Sequence, residues 1–239
     1  MSPLPEGEGE RGGIEMSILA LTIKWFGQAC FLITTAAGTN IVFDPFPAQL
    51  GRTIPAVQAD VVFVSHEHSD HNAVSALTSA GEVIGPIADK PAVHQVVSVG
   101  RGVSIACESV LTYHDSTNGS KRGTNTVRVI EVDDIRICHL GDLGHLLTKA
   151  QVKAIGRVDV LMIPVGGVYT IDAAQARKVV RQLNPKYVLP MHYKTPWLKV
   201  KLAPVDDFLK GFKNVKRMDK IEISKASLPK ETTVVVLKY

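Results

Sequence analysis

Six consecutive residues, His66-Glu67-His68-Ser69-Asp70-His71, carry three imidazoles and two carboxylates. Imidazole is the commonest transition-metal ligand among side chains, and an HxHxDH segment in a loop aims its alternate positions at one cavity. A lone histidine is ordinarily a packed structural residue, but this density argues for a metal site. Glu67 and Ser69 read as outward-facing or bonded to the loop itself. His66 and His68 are too few to complete one coordination shell, and Asp70 and His71 too few for a second. The missing ligands are expected at the ends of other apolar runs, where His114, Asp142 and His192 stand.

The elements that must position these residues follow from the hydrophobic pattern. Leu21–Gly27, Cys30–Thr35 and Asn40–Asp44 read as an antiparallel meander, broken by Ala37-Gly38-Thr39 and ended by Pro45 and Pro47. Asp60–Ser65 is almost wholly apolar and β-branched, as befits a strand covered on both faces, and it runs straight into the histidine cluster. A helix is expected from Asn72 and a second around Pro91–Val97. A turn at Gly100-Arg101-Gly102 then precedes the strand Val103–Ser109, which leads to His114. Thr126–Val132 and Ile135–Leu140 form a hairpin turning at Asp133-Asp134 and leading to Asp142. Thr148 with Gln151 has the capping-box form, and Gly156 closes a helix over Lys149–Ile155. Asp159–Val165, a helix near Ile171–Leu183 and the strand Pro185–Pro190 lead to His192. Two similar halves of interleaved strands and helices predict facing sheets inside, helices outside and chemistry at strand ends.

The 239 residues, 45% hydrophobic and 21% charged, are ordinary for a folded chain, and no apolar run approaches a membrane span. The net charge of +4 favours anionic ligands but falls short of a dedicated nucleic-acid binder. Cys30, Cys107 and Cys138 are odd in number and widely spaced, which offers neither a disulfide framework nor a metal clip and predicts a reducing, cytoplasmic setting. Residues 1–15 read as a disordered tail without signal-peptide character, and Met16 is an alternative start. Residues 16–239 read as a single domain. Asn118-Gly119-Ser120 reads as a turn.

The order of these motifs, HxHxDH followed by a lone His, a Gly-Asp and a strand-ending His, resembles the metallo-β-lactamase superfamily over nearly the whole chain from about residue 20. The resemblance implies an α/β fold, the four-layer αββα sandwich. It further implies that His66, His68 and His114 hold one metal, that Asp70, His71 and His192 hold another, and that Asp142 bridges the two. Asp44 matches the family's early aspartate, which braces the metal loop. The segments Gly166 to Asp172 and Pro190 to Thr195 are similar to short metal-dependent hydrolases related to the ascorbate-6-phosphate lactonase group. Leu143 stands where those relatives commonly carry threonine, and Gln28-Ala29 where a His-Ser pair is frequent; both departures bear on substrate class rather than on metal binding.

The expected cofactor is a pair of divalent ions, Zn²⁺ first, with Mn²⁺ or Fe²⁺ as alternatives. The expected activity is hydrolysis by a metal-bridging hydroxide, with Asp70 managing the proton and His145 or Tyr169 meeting the substrate. Neither a Gly-x-Ser-x-Gly elbow nor a catalytic cysteine competes. Lys194, together with Lys121-Arg122, predicts a small anionic substrate: a lactone or other ester first, then a phosphodiester, then an amide. A nuclease of the same superfamily and a non-catalytic metal-binding or sensor protein are the alternatives, the nuclease disfavoured because a clamp domain has little room. A flavin-linked di-iron branch is disfavoured because His68 stands where that branch has HxExD. No membrane partner is expected, and a homo-oligomer is compatible. His139 reads as a packed strand residue, and His94 as a surface residue on a helix.

Overall fold

A computed structural model describes residues 20–100 and 103–239. The expected tail over 1–15, the alternative start at Met16 and residues 101–102 of the expected turn lie outside them. Strands β1 (Leu21–Gly27), β2 (Cys30–Thr34), β3 (Asn40–Phe43), β4 (Gln58–Phe63) and β5 (Ser79–Ile84) open the described chain. There follow β6 (Ala92–Val99), β7 (Val103–Tyr113), β8 (Thr124–Val132), β9 (Ile135–His139), helix α1 (Lys149–Ile155), β10 (Val160–Pro164), α2 (Ala173–Leu183) and β11 (Tyr187–Met191). A short α3 (Asp206–Leu209), β12 (Val215–Met218), β13 (Ile221–Ile223) and β14 (Thr233–Leu237) close it.

The strands form two sheets, ordered β13-β1-β2-β3-β4-β5 and β12-β14-β11-β10-β9-β8-β7-β6. One apolar core joins them: Trp25, Phe31, Phe43 and Phe63 from the first sheet pack in the same cluster as Val129, Ile137 and Leu161 from the second. Strands buried on both faces need no polar alternation, which is why β10 and β11 read as continuous apolar runs. The second sheet's outer face receives α1 against β7 and α2 against β10. Both helices begin with a capping box, Thr148 with Gln151 and Asp172 with Gln175, and α2 buries Ala176, Val179, Val180 and Leu183 on one stripe. The first sheet's outer face carries a second cluster, with Phe46, Val42 and Val62, closed by single 3₁₀ turns at Ala48–Leu50 and Val74–Ala76 and by Trp197. These facing sheets with helices make the expected α/β sandwich of metallo-β-lactamase type.

Three local expectations are corrected. The helix from Asn72 shrinks to the Val74–Ala76 turn, because the Asn72 amide bonds back to the Glu67 carbonyl and carboxylate and holds the chain in a loop. The helix around Pro91–Val97 is instead β6, an edge strand paired with β7: four valines, at 93, 96, 97 and 99, are β-branched and suit the pleat better than a helix. His94 is accordingly exposed on a strand, its Nδ1 2.6 Å from Glu108 Oε1 directly opposite. The β8–β9 hairpin turns where expected, with Asp133 and Asp134 both left-handed (φ 50° and 59°), as a two-residue turn matched to strand twist requires. No helix among the described residues is long and apolar enough to cross a membrane.

Candidate metal centre

Parallel pairing brings the chemistry-bearing residues to one end of the sandwich. Phe43 pairs with Phe63 across β3 and β4, so Asp44 and Ser65, which follow those strands, meet. Asp44 Oδ1 accepts the Ser65 N–H at 2.8 Å and its Oδ2 accepts the Ser65 hydroxyl at 2.6 Å. Likewise Pro164 pairs with Met191 across β10 and β11, which sets Gly166 against the backbone of His192; a Cβ at Gly166 would collide with the His192 carbonyl. His192 itself is left-handed at φ 50°, turning its ring off the strand end.

Asp142 stands at the centre. Its Oδ2 lies 3.0 Å from His114 Nε2, 3.3 Å from His71 Nε2, 3.3 Å from His192 Nε2 and 3.9 Å from His66 Nε2. Its backbone N–H donates to Asn125 Oδ1 at 2.9 Å, and the Asn125 amide is itself fixed by Thr112 and the Leu140 carbonyl. Ligand atoms of His66, His68 and His114 cluster within 4.8 Å of one another, as do those of Asp70, His71 and His192. These are the two triads that the family resemblance implied, with Asp142 facing both. A third overlapping group, Asp44 with His66 and His71, is wholly buried.

Burial and mutual charge set the electrostatics of this cluster. Burial drives His66 down to about 3, reinforced by the neighbouring His71. Burial also lowers His68, with His114 adding to it. Burial alone would raise the Asp142 carboxyl, but the charges of His192 and His71 and the imidazole bonds hold it well below the ordinary carboxylate range. His71 goes the other way: burial opposes its charge, yet Asp142 and Asp44 raise it well above the usual imidazole value. His66 Nε2, His71 Nε2, His114 Nδ1, His192 Nδ1 and Asp142 Oδ1 are buried without a hydrogen-bond partner. One carboxylate cannot pair with four converging imidazoles at once. Their lone pairs suit divalent cations of the imidazole-binding kind, so the residues present fit metal.

Above the cluster opens a cavity of about 460 Å³, walled by His68, Asp70, His114, Asp142 and His192 below and by Gln28, Arg122 and Tyr169 at the sides. Arg122 lies over the Tyr169 ring, 5.4 Å from its centroid, and its Nη2 donates to the Val168 carbonyl at 3.3 Å. Of the residues expected to meet substrate, Tyr169 lines this cavity and two do not. His145 stands outside its lining: its Nε2 accepts the Tyr113 N–H at 3.1 Å and its Nδ1 lies 2.8 Å from the Leu146 carbonyl, so both ring nitrogens meet backbone. Lys194, after the turn at His192, lines a separate recess with Tyr193, Arg217 and Lys238. Gln28 was noted in the sequence only as a departure from the family and proves to be a wall residue. Its signal was position alone, in the tight turn between β1 and β2. His139 is buried, with Nε2 2.9 Å from the Ala29 carbonyl, as a packed strand histidine should be.

The profile of a family described as the beta-lactamase superfamily domain matches residues 22–192. A UPF0173 protein of Pyrococcus furiosus is 32% identical, the match covering 73% of this chain and 84% of the relative. A UPF0173 metal-dependent hydrolase of Caldivirga maquilingensis is 29% identical over 72% of this chain and 82% of its own length. Among solved structures, a candidate Zn-dependent hydrolase of the metallo-beta-lactamase superfamily from Thermotoga maritima is similar at a TM-score of 0.69 and 42% identity, over 91% of this chain and 98% of that one.

Proposed function

Because the chain belongs to the beta-lactamase superfamily, we propose that its cavity hydrolyses a small anionic ester, lactone or phosphodiester with the help of two divalent ions. The observation that carries this reading is the convergence of two triads of His and Asp side chains on Asp142, under a cavity whose wall bears Arg122. His66, His68 and His114 would hold one ion, Asp70, His71 and His192 the other, and Asp142 would face both. Zn²⁺ is the first choice, in keeping with the Thermotoga maritima protein, and Mn²⁺ or Fe²⁺ suit the same donors. Such ions supply Lewis acidity toward the scissile oxygen and an acidified water.

The chain's own residues supply the rest. Asp70 is held ionised, since His71 outweighs the burial that would raise it, and its Oδ2 is fixed by the Gln28 amide at 2.8 Å. That carboxylate lines the cavity, and in this reading it would hold an ion and accept a proton from the acidified water. Arg122, pre-set by Tyr169 and the Val168 carbonyl, would bind a carboxylate or phosphate as a planar fork without first losing side-chain freedom. Asp44 locks the His71 ring through Nδ1, leaving Nε2 for the centre. The substrate is expected to be a free small molecule.

The test is a panel of carboxylated aryl esters, lactones and phosphodiesters with Zn²⁺-loaded protein. Turnover that a chelator abolishes, Zn²⁺ restores and Asp142→Ala lacks is the expected result. A full panel without chelator-sensitive turnover would overturn the reading.

A further inference from the structure

Metal-facing residues account for only part of the cavity lining. The remainder is Gln28, Leu50, Ser69, Arg122, Tyr169 and Val200. Gln28 is engaged with Asp70 through its amide, and Ser69 is exposed to water. Arg122 supplies the charge for an anionic group. Leu50 and Val200 add apolar surface that neither a metal nor an anion needs, and the Tyr169 ring adds more beyond its contact with Arg122.

This apolar surface is held in place by packing. Leu50 ends the 3₁₀ turn Ala48–Leu50 and rests partly on the cluster around Phe46, yet it stays only half-buried, as does Val200. A Cβ at Gly51 would collide with the Trp197 carbonyl, and the Trp197 ring stacks on Phe46 with centroids 5.6 Å apart. The segment leading to Val200 is therefore fixed against the turn that carries Leu50.

Beside Tyr169 the chain accepts strain to expose one more apolar side chain. The Tyr169 N–H donates to the Gly167 carbonyl at 2.7 Å, with Val168 between them at φ 64°. This is the strained form of the γ-turn, and a β-branched residue is a genuine outlier in it. Glycine would hold the same turn at lower cost. The Val168 carbonyl accepts Arg122, but any residue provides a carbonyl, so the side chain itself asks for an explanation. It is 60% exposed, and Tyr169 next to it 40%. Strain that a fold does not need points to function.

We propose that the cavity binds an amphipathic anion, whose charged group meets Arg122 and whose aliphatic chain runs over Leu50, Val200 and Tyr169 and leaves past Val168. A flexible chain suits these surfaces better than a rigid ring system, because two of them are aliphatic and Arg122 covers the one aromatic ring. The inference deepens the reading of the cavity as a site for a small anionic ester, by giving that substrate a hydrocarbon chain of several carbons. It rests on the cavity as the binding site but not on hydrolysis.

The experiment is calorimetry on Zn²⁺-loaded protein with acetate, butyrate, hexanoate and octanoate. The carboxylate is common to the series, so the trend reports the chain alone. Affinity is expected to rise about three- to fourfold for each methylene that leaves water. Leu50→Ser combined with Val200→Ser should flatten that trend and leave acetate unchanged. Val168→Gly should keep the gain from acetate to butyrate, lose the gain of the longest chains and melt no lower than the parent. Equal affinity for acetate and octanoate in the unsubstituted protein would overturn the proposal. So would a trend that persists in the double variant, since the chain would then lie elsewhere, or octanoate binding that Val168→Gly leaves untouched. If the double variant does not fold, Val200→Ser alone decides in the same way. Failure of the hydrolase reading shows itself separately, as absent turnover, and leaves these binding outcomes readable.

Discussion

Asp44 Oδ2 lies 2.8 Å from His71 Nδ1 and also receives the Ser65 hydroxyl, whose oxygen lies 2.9 Å from His66 Nδ1. One buried carboxylate thus sets the ring orientation of a histidine from each triad without itself facing the cavity. It does so from a left-handed backbone, φ 42°, that few residues other than Asn and Asp accept. Replacement by Asn keeps that backbone and an acceptor for the Ser65 N–H but removes the charge that holds His71. Asp44→Asn is expected to fold and to lose about 10–100-fold in metal affinity, the range seen when partners behind metal ligands are removed. Chelator competition measures it, and an affinity equal to the parent's would contradict the role.

Much of this centre was legible in the sequence, for a physical reason. A βαβ-type fold places chemistry where strands end, so His66, His114, Asp142 and His192 could be picked out as polar residues closing apolar runs. The capping box at Thr148 is a short-range device and equally readable, whereas the one at Asp172 was not picked out. What could not be read was contact between distant segments. Arg122 and Tyr169 are joined only because the loops after β7 and β10 converge over the cavity. Gln28, in the β1–β2 turn, reaches Asp70 in the loop after β4. His145 looked available because sequence cannot show that the Tyr113 N–H would claim it. The Pro91–Val97 run was ambiguous between helix and strand, and long-range pairing with β7 decided it.

The strand-end geometry gives a second expected outcome. Gly166 packs against the His192 carbonyl so closely that a methyl group would force the two chain segments apart. Gly166→Ala should therefore displace His192 and weaken the site that contains it, while the rest of the two-sheet core stays intact. Metal titration read beside thermal melting separates these effects. A melting temperature that falls in step with metal loss only in the metal-loaded form agrees with this account, and unchanged affinity does not.

The three cysteines give a pH dependence of known sign. Burial pushes the Cys138 thiol far above its ordinary 9.0 and raises Cys30 and Cys107 as well. Their folded forms therefore stay neutral where the unfolded chain's thiols ionise. The unfolded state gives up protons first, so stability is unaffected below pH 9 and falls as pH rises beyond it. Denaturant midpoints from pH 8 to 11 should decline, and Cys138→Ala, although less stable overall, should decline less steeply. Equal slopes would show that the thiol does not contribute. At pH 8 none of the three should react with a thiol reagent until the protein is unfolded, because the thiolate is the reactive form.

Asp115 follows His114 and accepts hydrogen bonds from the Thr117 hydroxyl and from the N–H groups of Thr117, Gly119, Lys121 and Arg122, at 2.8–2.9 Å. These bonds shape the loop that carries Arg122 to the cavity wall, and bonds to a charged group are worth about 1.5–3 kcal/mol when lost. Asp115→Ala is expected to cost stability in that range and to loosen Arg122, so KM for an anionic substrate rises while that for a neutral one does not. A stability loss with both KM values unchanged would confine Asp115 to a structural part.

Arg122 and Lys194 make opposite predictions from similar charges. Arg122 faces the cavity, ordered by the Tyr169 ring, whereas Lys194 lines a recess on the far side of the His192 turn. Two cations below the cavity floor would already attract an anion, and a guanidinium on the wall adds direction to that attraction. Arg122→Ala should raise KM for a carboxylated ester by about tenfold or more, the worth of one charge-assisted bond, and leave a neutral ester nearly unaffected. Arg122→Lys should recover only part of the loss, because a point charge neither stacks on Tyr169 nor pairs in a fork. Lys194→Ala should change neither substrate, apart from a slight response to salt, since attraction across water is screened within about 8 Å at physiological ionic strength. Steady-state kinetics on the paired esters, at two salt concentrations, decides between them: a large charge-selective effect at Lys194 with none at Arg122 would relocate the anion site to the far recess.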